Sequence, residues 1–154
     1  MIGNILSDEI CCAEEMQRLA KLSNIMEKNI FKDKKLTNAQ AYLLLNLYKN
    51  NNINMQTLSE ILEIDISTLT RNISKLIKPG YVIKEKDIND KRVNLVKLTK
   101  KGEELAKEVE NIYIKHYIKI VCNIPKDKKD IVFEGINILL AIFEEAKNKK
   151  ESKK

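Results

Sequence analysis

The chain has 154 residues and a mass of 17.8 kDa, and it is 44% apolar and 32% charged. That is one domain's length with enough apolar side chains for a core, which excludes a disordered polymer and an integral membrane protein. Twenty-eight Lys and Arg against 22 Asp and Glu leave a formal charge of +6 and a pI near 9.1, a balance that favours a polyanionic partner without requiring one.

From about residue 4 to 30, Ile5, Leu6, Ile10, Ala13, Met16, Leu19, Ala20, Ile25 and Met26 recur at spacings near three and four, which predicts a long amphipathic helix. Lys32–Lys35 interrupts it. Leu36-Thr37-Asn38-Ala39-Gln40 then opens a second helix with a capping box, Thr37 at the cap and Gln40 reaching back to it. Leu43, Leu44 and Leu47 form its apolar stripe, and Asn50–Asn54 breaks it. A short helix with Leu58, Ile61 and Leu62 inward stops near Glu63–Ile64. Asp65 caps a fourth helix, expected to bury Ile66, Leu69, Ile73, Leu76 and Ile77 and to end at Pro79-Gly80.

There the period changes. Tyr81–Lys86 and Val93–Leu98 read as two strands joined by the polar loop Asp87–Arg92. Thr99 caps a long helix through about Val121, with Leu105, Val109, Ile112 and Tyr113 as its apolar side. Pro125 breaks that helix. A last one, about Lys126 to Lys147, carries Ile131, Val132, Ile136, Leu139, Leu140 and Phe143, and the basic stub 149–154 is expected to fray.

Two helices joined by the tight Glu63–Asp65 connection make a helix-turn-helix, and a basic hairpin after the second makes it winged. Such a helix fits the major groove of B-DNA with its N-terminal residues toward base edges. Ser67, Thr68, Arg71, Lys75 and Lys78 are the fourth-helix positions left over from the core, with Thr70 at the boundary. The hydroxyls permit close approach, and Arg71 carries the only planar bidentate fork there, suited to guanine or phosphate. Lys91 and Arg92 at the hairpin tip are placed to straddle the backbone or enter the neighbouring minor groove. Residues 53–102 hold ten Lys and Arg against six Asp and Glu, so +4 of the total +6 sits where the reader would be.

Leu36-Thr37-x-x-Gln40, Thr68-Leu69-Thr70-Arg71, Gly80-Tyr81-Val82 and, above all, Asp90-Lys91-Arg92 leading to Leu98-Thr99-x-x-Gly102 resemble the MarR-type transcriptional regulators over residues 36 to 105. The resemblance implies a homodimeric winged-helix repressor or activator with a small-molecule cleft between its dimerisation part and its DNA-binding lobe. It implies that Arg92 enters the minor groove, that Asp90 braces the wing, and that Ser67–Arg71 reads the major groove. The expected fold is mainly α: a winged helix-turn-helix lobe at 36–102 with a two-stranded wing, within a single domain spanning 1–154. Helices at 1–31 and 103–148 flank the lobe and form the dimerisation part, because they are too apolar to sit alone on a lobe of this size.

Other chemistries find little footing. The longest apolar runs, such as Ile138–Phe143, are far below the roughly 18 residues that cross a bilayer, and Asp8 and Glu9 argue against a secretory signal. Cys11, Cys12 and Cys122 make no disulfide framework and suit a cytoplasmic setting. One histidine, no CxxC or HxxxH and no glycine-rich phosphate loop predict neither a metal site nor a cofactor. His116 and Cys122 lie six residues apart on a helix, about 240° around it, so they form no hydrolase pair and no enzyme is expected. A peroxide-sensing branch of the family uses a first-helix cysteine held by tyrosines, and Glu27–Gln40 contains none. Cys11 and Cys12 are therefore expected to be inert thiols, with oxidation sensing as the alternative.

Overall fold

The computed structural model describes residues 2–88 and 90–151 and divides into two compact units after Ile114. Asn89 of the hairpin loop and 152–154 of the basic stub lie outside the described residues, as do the side chains of Ile5, Leu6 and Ile10.

The first unit begins with α1 (Ile2–Glu27) and a 3-10 turn at Lys32–Lys34, then α2 (Asn38–Lys49). The capping box forms: Thr37 Oγ1 accepts from the Gln40 amide at 3.3 Å, and Gln40 Oε1 accepts from the Thr37 amide at 2.9 Å. Gln40 is buried, and its Oε1 also accepts from the Thr37 hydroxyl at 3.1 Å. Phe31, in the turn before α2, is completely buried against it, and Lys34 pairs with Glu108.

A two-residue strand, β1 (Ile53–Asn54), leads into α3 (Met55–Leu62), and α4 (Ile66–Ile77) follows. β2 (Val82–Lys86) and β3 (Asn94–Leu98) make the hairpin, and the sheet order is β1-β3-β2, antiparallel throughout. The expected two-stranded wing forms as β2 and β3, and β1 adds a third strand to its sheet, with Ile53 opposite Val96 and Asn54 opposite Leu95. The core gathers Leu43, Leu44 and Leu47 of α2, Leu58 of α3, and Leu69, Ile73 and Leu76 of α4. Val82, Val96 and Val109 close it. Each such side chain contributes about 1.5–3 kcal/mol by leaving water.

Three isoleucines depart from expectation: Ile61, Ile66 and Ile77 are exposed. In α3 the buried arc is set by Leu58 and Ser59, which turns Ile61 outward. In α4 it is set by Leu69, Ile73 and Leu76, while Ile66 and Ile77 occupy the two ends of the helix.

α5 (Lys100–Val121) crosses the division between the units. In the second unit it ends in turns at Cys122–Ile124, with the Asn123 side chain donating to the Lys119 carbonyl at 2.7 Å. A 3-10 turn (Lys126–Lys128) precedes α6 (Lys129–Glu151), which starts three residues later and runs four residues further than expected. Along α6, Ile131, Phe133, Ile136, Ile138, Leu140 and Phe143 remain exposed.

Candidate nucleic-acid interface

α4 is built from its cap. Asp65 has extended backbone, and its Oδ1 accepts from the Thr68 amide at 2.8 Å and from the Ser67 hydroxyl. These bonds, Ser67 first, hold its carboxyl well below the usual carboxylate range. The Ser67 hydrogen is thereby committed, so toward an outside partner this hydroxyl is an acceptor. Thr68, half-buried, also turns its side chain to Asp65. The two N-terminal hydroxyls thus serve the cap first, a use that the spacing of residues alone did not reveal.

Beyond the cap, Ser67, Thr70, Arg71 and Lys75 are exposed while Leu69, Ile73 and Leu76 are buried. Positions four apart differ by about 40° around a helix, so Ser67, Arg71 and Lys75 form one stripe. Among the described residues Arg71 and Lys75 have no acidic partner.

The far end of α4 is clasped. Gly80, at φ +77°, puts its amide on the Ile77 carbonyl at 2.8 Å, and the Tyr81 amide reaches the Leu76 carbonyl at 3.0 Å, a Schellman closure. The start of α5 grips the same turn. Thr99 Oγ1 donates to the Gly80 carbonyl at 2.7 Å and accepts from the Gly102 amide at 3.1 Å. Lys101 Nζ donates to the Pro79 carbonyl at 2.9 Å and stands 4.8 Å from the centre of the Tyr81 ring. Gly102 is there because a Cβ would lie 2.0 Å from the Tyr81 carbonyl oxygen.

The wing is ordered by aspartates. The Asp87 amide reaches the Val93 carbonyl at 3.0 Å, Asp87 Oδ1 accepts from the Asp90 amide at 3.1 Å, and the Val93 amide closes on the Asp90 carbonyl at 2.9 Å. Asp90 grips Arg92 with both oxygens, Nε at 3.1 Å and Nη2 at 3.2 Å, and its Oδ1 also accepts the Arg92 amide at 2.9 Å. The Arg92 guanidinium, then its amide, lowers the Asp90 carboxyl below its ordinary range. The Arg92 side chain is nevertheless 91% exposed, and Lys91 beside it is exposed as well. Lower on the wing, Lys97 pairs with Glu85 at 2.7 Å. A cleft of about 450 Å³ is lined by Arg92 and Asn94 of the wing, by Gln56 and Thr57 of α3, and by Ile66 at the start of α4. The wing arginine and the first turn of α4 thus border one recess.

The remaining candidates stand apart. Cys11, Cys12 and Cys122 are free and exposed. His116 packs edge-on to Tyr117, ring centres 5.1 Å apart, with its Nε2 buried. Among the described residues no group of His, Cys, Asp and Glu could hold a metal ion, and no helix is long and apolar enough to cross a membrane.

Residues 36–93 match the sequence model of the MarR family. The chain is similar to the HTH-type transcriptional regulator BilQ of Clostridioides difficile, at 37% identity over 53% of this chain and 55% of that one. It spans between 53% and 61% of the length of the first three curated relatives that it matches. Among solved structures, a MarR protein from Peptoclostridium difficile superposes with a TM-score of 0.76 at 27% identity, covering 88% of each chain. A mutant MarR from E. coli complexed with operator DNA shares the fold, with a TM-score of 0.74 at 21% identity over 86% of this chain and 96% of that one.

Proposed function

The chain belongs to the MarR family, and from that premise we propose that it is a homodimeric, sequence-specific regulator of transcription that binds double-stranded DNA. It acts as a repressor in the cytoplasm, its hold on the operator modulated by a small-molecule effector. One observation carries this reading. Arg71 and Lys75 form a basic stripe on the outer face of α4 with no acidic partner among the described residues, and Arg92 stands out from a wing that shares a recess with the start of the same helix.

In this reading α4 lies in the major groove, where the Arg71 fork meets guanine O6 and N7 and Thr70 lies against an adjacent base edge. Ser67, its hydrogen given to Asp65, accepts from an exocyclic amine. Lys75 and Lys91 neutralise phosphates, and Arg92 enters the flanking minor groove while Asp90 fixes its direction. The second copy covers apolar surface that one chain leaves in water: Leu19, Leu22 and Ile25 on α1, and Ile136, Leu140 and Phe143 on α6. A two-fold dimer asks for a pseudo-palindromic operator with half-sites about one helical turn, ~10 bp, apart. No reaction is assigned to the chain, and Cys11 and Cys12 have no part in this mechanism.

Selection of bound duplexes from a random pool tests the reading. The expected result is enrichment of two inverted half-sites at that spacing. A pool that stays unenriched, or that yields a single asymmetric site, overturns it.

A further inference from the structure

The wing tip carries one apolar side chain among polar ones. The Asp87 amide, on the Val93 carbonyl at 3.0 Å, extends the ladder one position beyond the Lys86–Asn94 pair. Past it the chain runs Ile88-Asn89-Asp90-Lys91-Arg92, so Ile88 and Arg92 leave that rung on opposite limbs. Ile88 is 92% exposed, the most exposed large apolar side chain among the described residues; the next, Leu19, stands at 66%. At that exposure it adds nothing to the core, and turns ordinarily take Asn, Asp, Ser, Gly or Pro. The tip is braced: Asp87 Oδ1 accepts from the Asp90 amide at 3.1 Å, and the Val93 amide closes on the Asp90 carbonyl at 2.9 Å. Ile88 is held out in water from a turn fixed on both sides.

A single exposed apolar residue is ordinary on a protein surface, and its place is what distinguishes this one. Under the reading given above, Arg92 on the facing limb enters the minor groove. Facing positions of an antiparallel hairpin lie roughly 5 Å apart, against about 3.4 Å between stacked base pairs. A side chain there reaches the base step next to the one that Arg92 addresses. Ile88 has no side-chain donor or acceptor with which to read a base edge; it offers a stiff, β-branched wedge. Aliphatic wedges in the minor groove lodge between bases, partly unstack them and kink the duplex. Pyrimidine–purine steps, TA and CA/TG, yield most readily, so such a wedge selects sequence through deformability. We propose that Ile88 is a specificity-determining wedge that opens a pyrimidine–purine step beside the base pair met by Arg92, bending the operator at each flank. The proposal rests on the DNA-binding reading and adds to it a sequence requirement outside the bases met by α4.

The full chain and Ile88→Asn, a residue that turns accept, are taken through selection from the same random duplex pool. The parent is expected to enrich TA or CA/TG at one position outside each half-site, and the variant to lose that enrichment. On the duplex that the parent selects, Ile88→Asn should bind about tenfold more weakly; with the flanking step changed to AA, the two should bind alike. 2-Aminopurine placed at the step should brighten when the parent binds and stay quenched with Ile88→Asn. Ile88→Leu, apolar and similar in volume, should retain both the preference and the brightening. Half-sites enriched by the parent with no preferred flanking step, the same flank and fluorescence from Ile88→Asn, or a loss in Ile88→Leu as large as in Ile88→Asn overturns the proposal alone. A pool that the parent leaves unenriched overturns the DNA-binding reading and the wedge with it.

Discussion

Asp90 and Arg92, two residues apart on the wing, are joined three times: both carboxylate oxygens hold the guanidinium, at 3.1 and 3.2 Å, and Oδ1 also takes the Arg92 amide at 2.9 Å. The Arg92 side chain, 91% exposed, is therefore aimed before anything binds. Asp90→Ala is expected to free that charge. Affinity for arbitrary duplex then rises or holds while the preference for the selected operator falls, read as the ratio of the two dissociation constants. Arg92→Ala should instead reduce the slope of log affinity against log salt by about one. An unchanged slope would remove the wing from the contact.

The two faces of α4 are expected to separate stability from recognition. Leu69→Ala empties a fully buried position and is expected to cost about 2–5 kcal/mol in denaturant unfolding. Arg71→Ala, two residues on and exposed, should leave unfolding within about 0.5 kcal/mol yet weaken operator binding by about 1–3 kcal/mol, with preference relaxed at one base position. Equal weakening on every sequence would make Arg71 a phosphate contact.

Gly102→Ala sets a methyl group against backbone that cannot swing away, because Tyr81 is held on both sides of that carbonyl by the Schellman turn and the sheet. A loss of about 1–3 kcal/mol is expected from the forced shift, with the wing amides exchanging faster than those of α2 in hydrogen exchange. A variant as stable as the parent would show that α5 can slide along the turn at no cost.

The cap of α4 depends on acid in a definite direction. Asp65 titrates below the ordinary aspartate value of about 3.8 in the folded chain. Its stabilisation is therefore complete above that pH and is lost as the pH falls through the lower folded value. Amide exchange at Ser67–Leu69 should stay slow through mildly acidic solution and accelerate only below it. Asp65→Asn, which caps without titrating, should remove that dependence. Acceleration that begins near neutrality would point to another group.

Much of this was legible in the chain. Thr37 and Gln40 announced a capping box, Asp65 a helix start and Pro79-Gly80 a stop, because each acts through backbone within three or four residues of itself. What escaped needed distant partners. Ile53–Asn54 is too short and too polar around it to look like a strand, and it becomes one only because β3 offers an open edge. Ile61, Ile66 and Ile77 satisfy the helical period, but the period does not say which arc faces inward. Ser67 and Thr68 were expected to address a ligand, and the cap claims them first. The Tyr42 hydroxyl hydrogen-bonds to Glu27, fifteen residues away on another helix, so their meeting is a product of folding and no motif advertises it.

The smallest strand has the widest reach. Because Ile53 and Asn54 pair with Val96 and Leu95, the backbone entering α3 is stitched to the same strand that descends from the wing tip. If α4 and the wing bind DNA as proposed, this backbone tie between the helix-turn-helix and β3 makes them a gauge of fixed pitch rather than two fingers that adjust separately. An operator half-site lengthened by a single base pair should accordingly be rejected more severely than one carrying a wrong base, since a mismatch forfeits one contact while an insertion throws every later contact out of step.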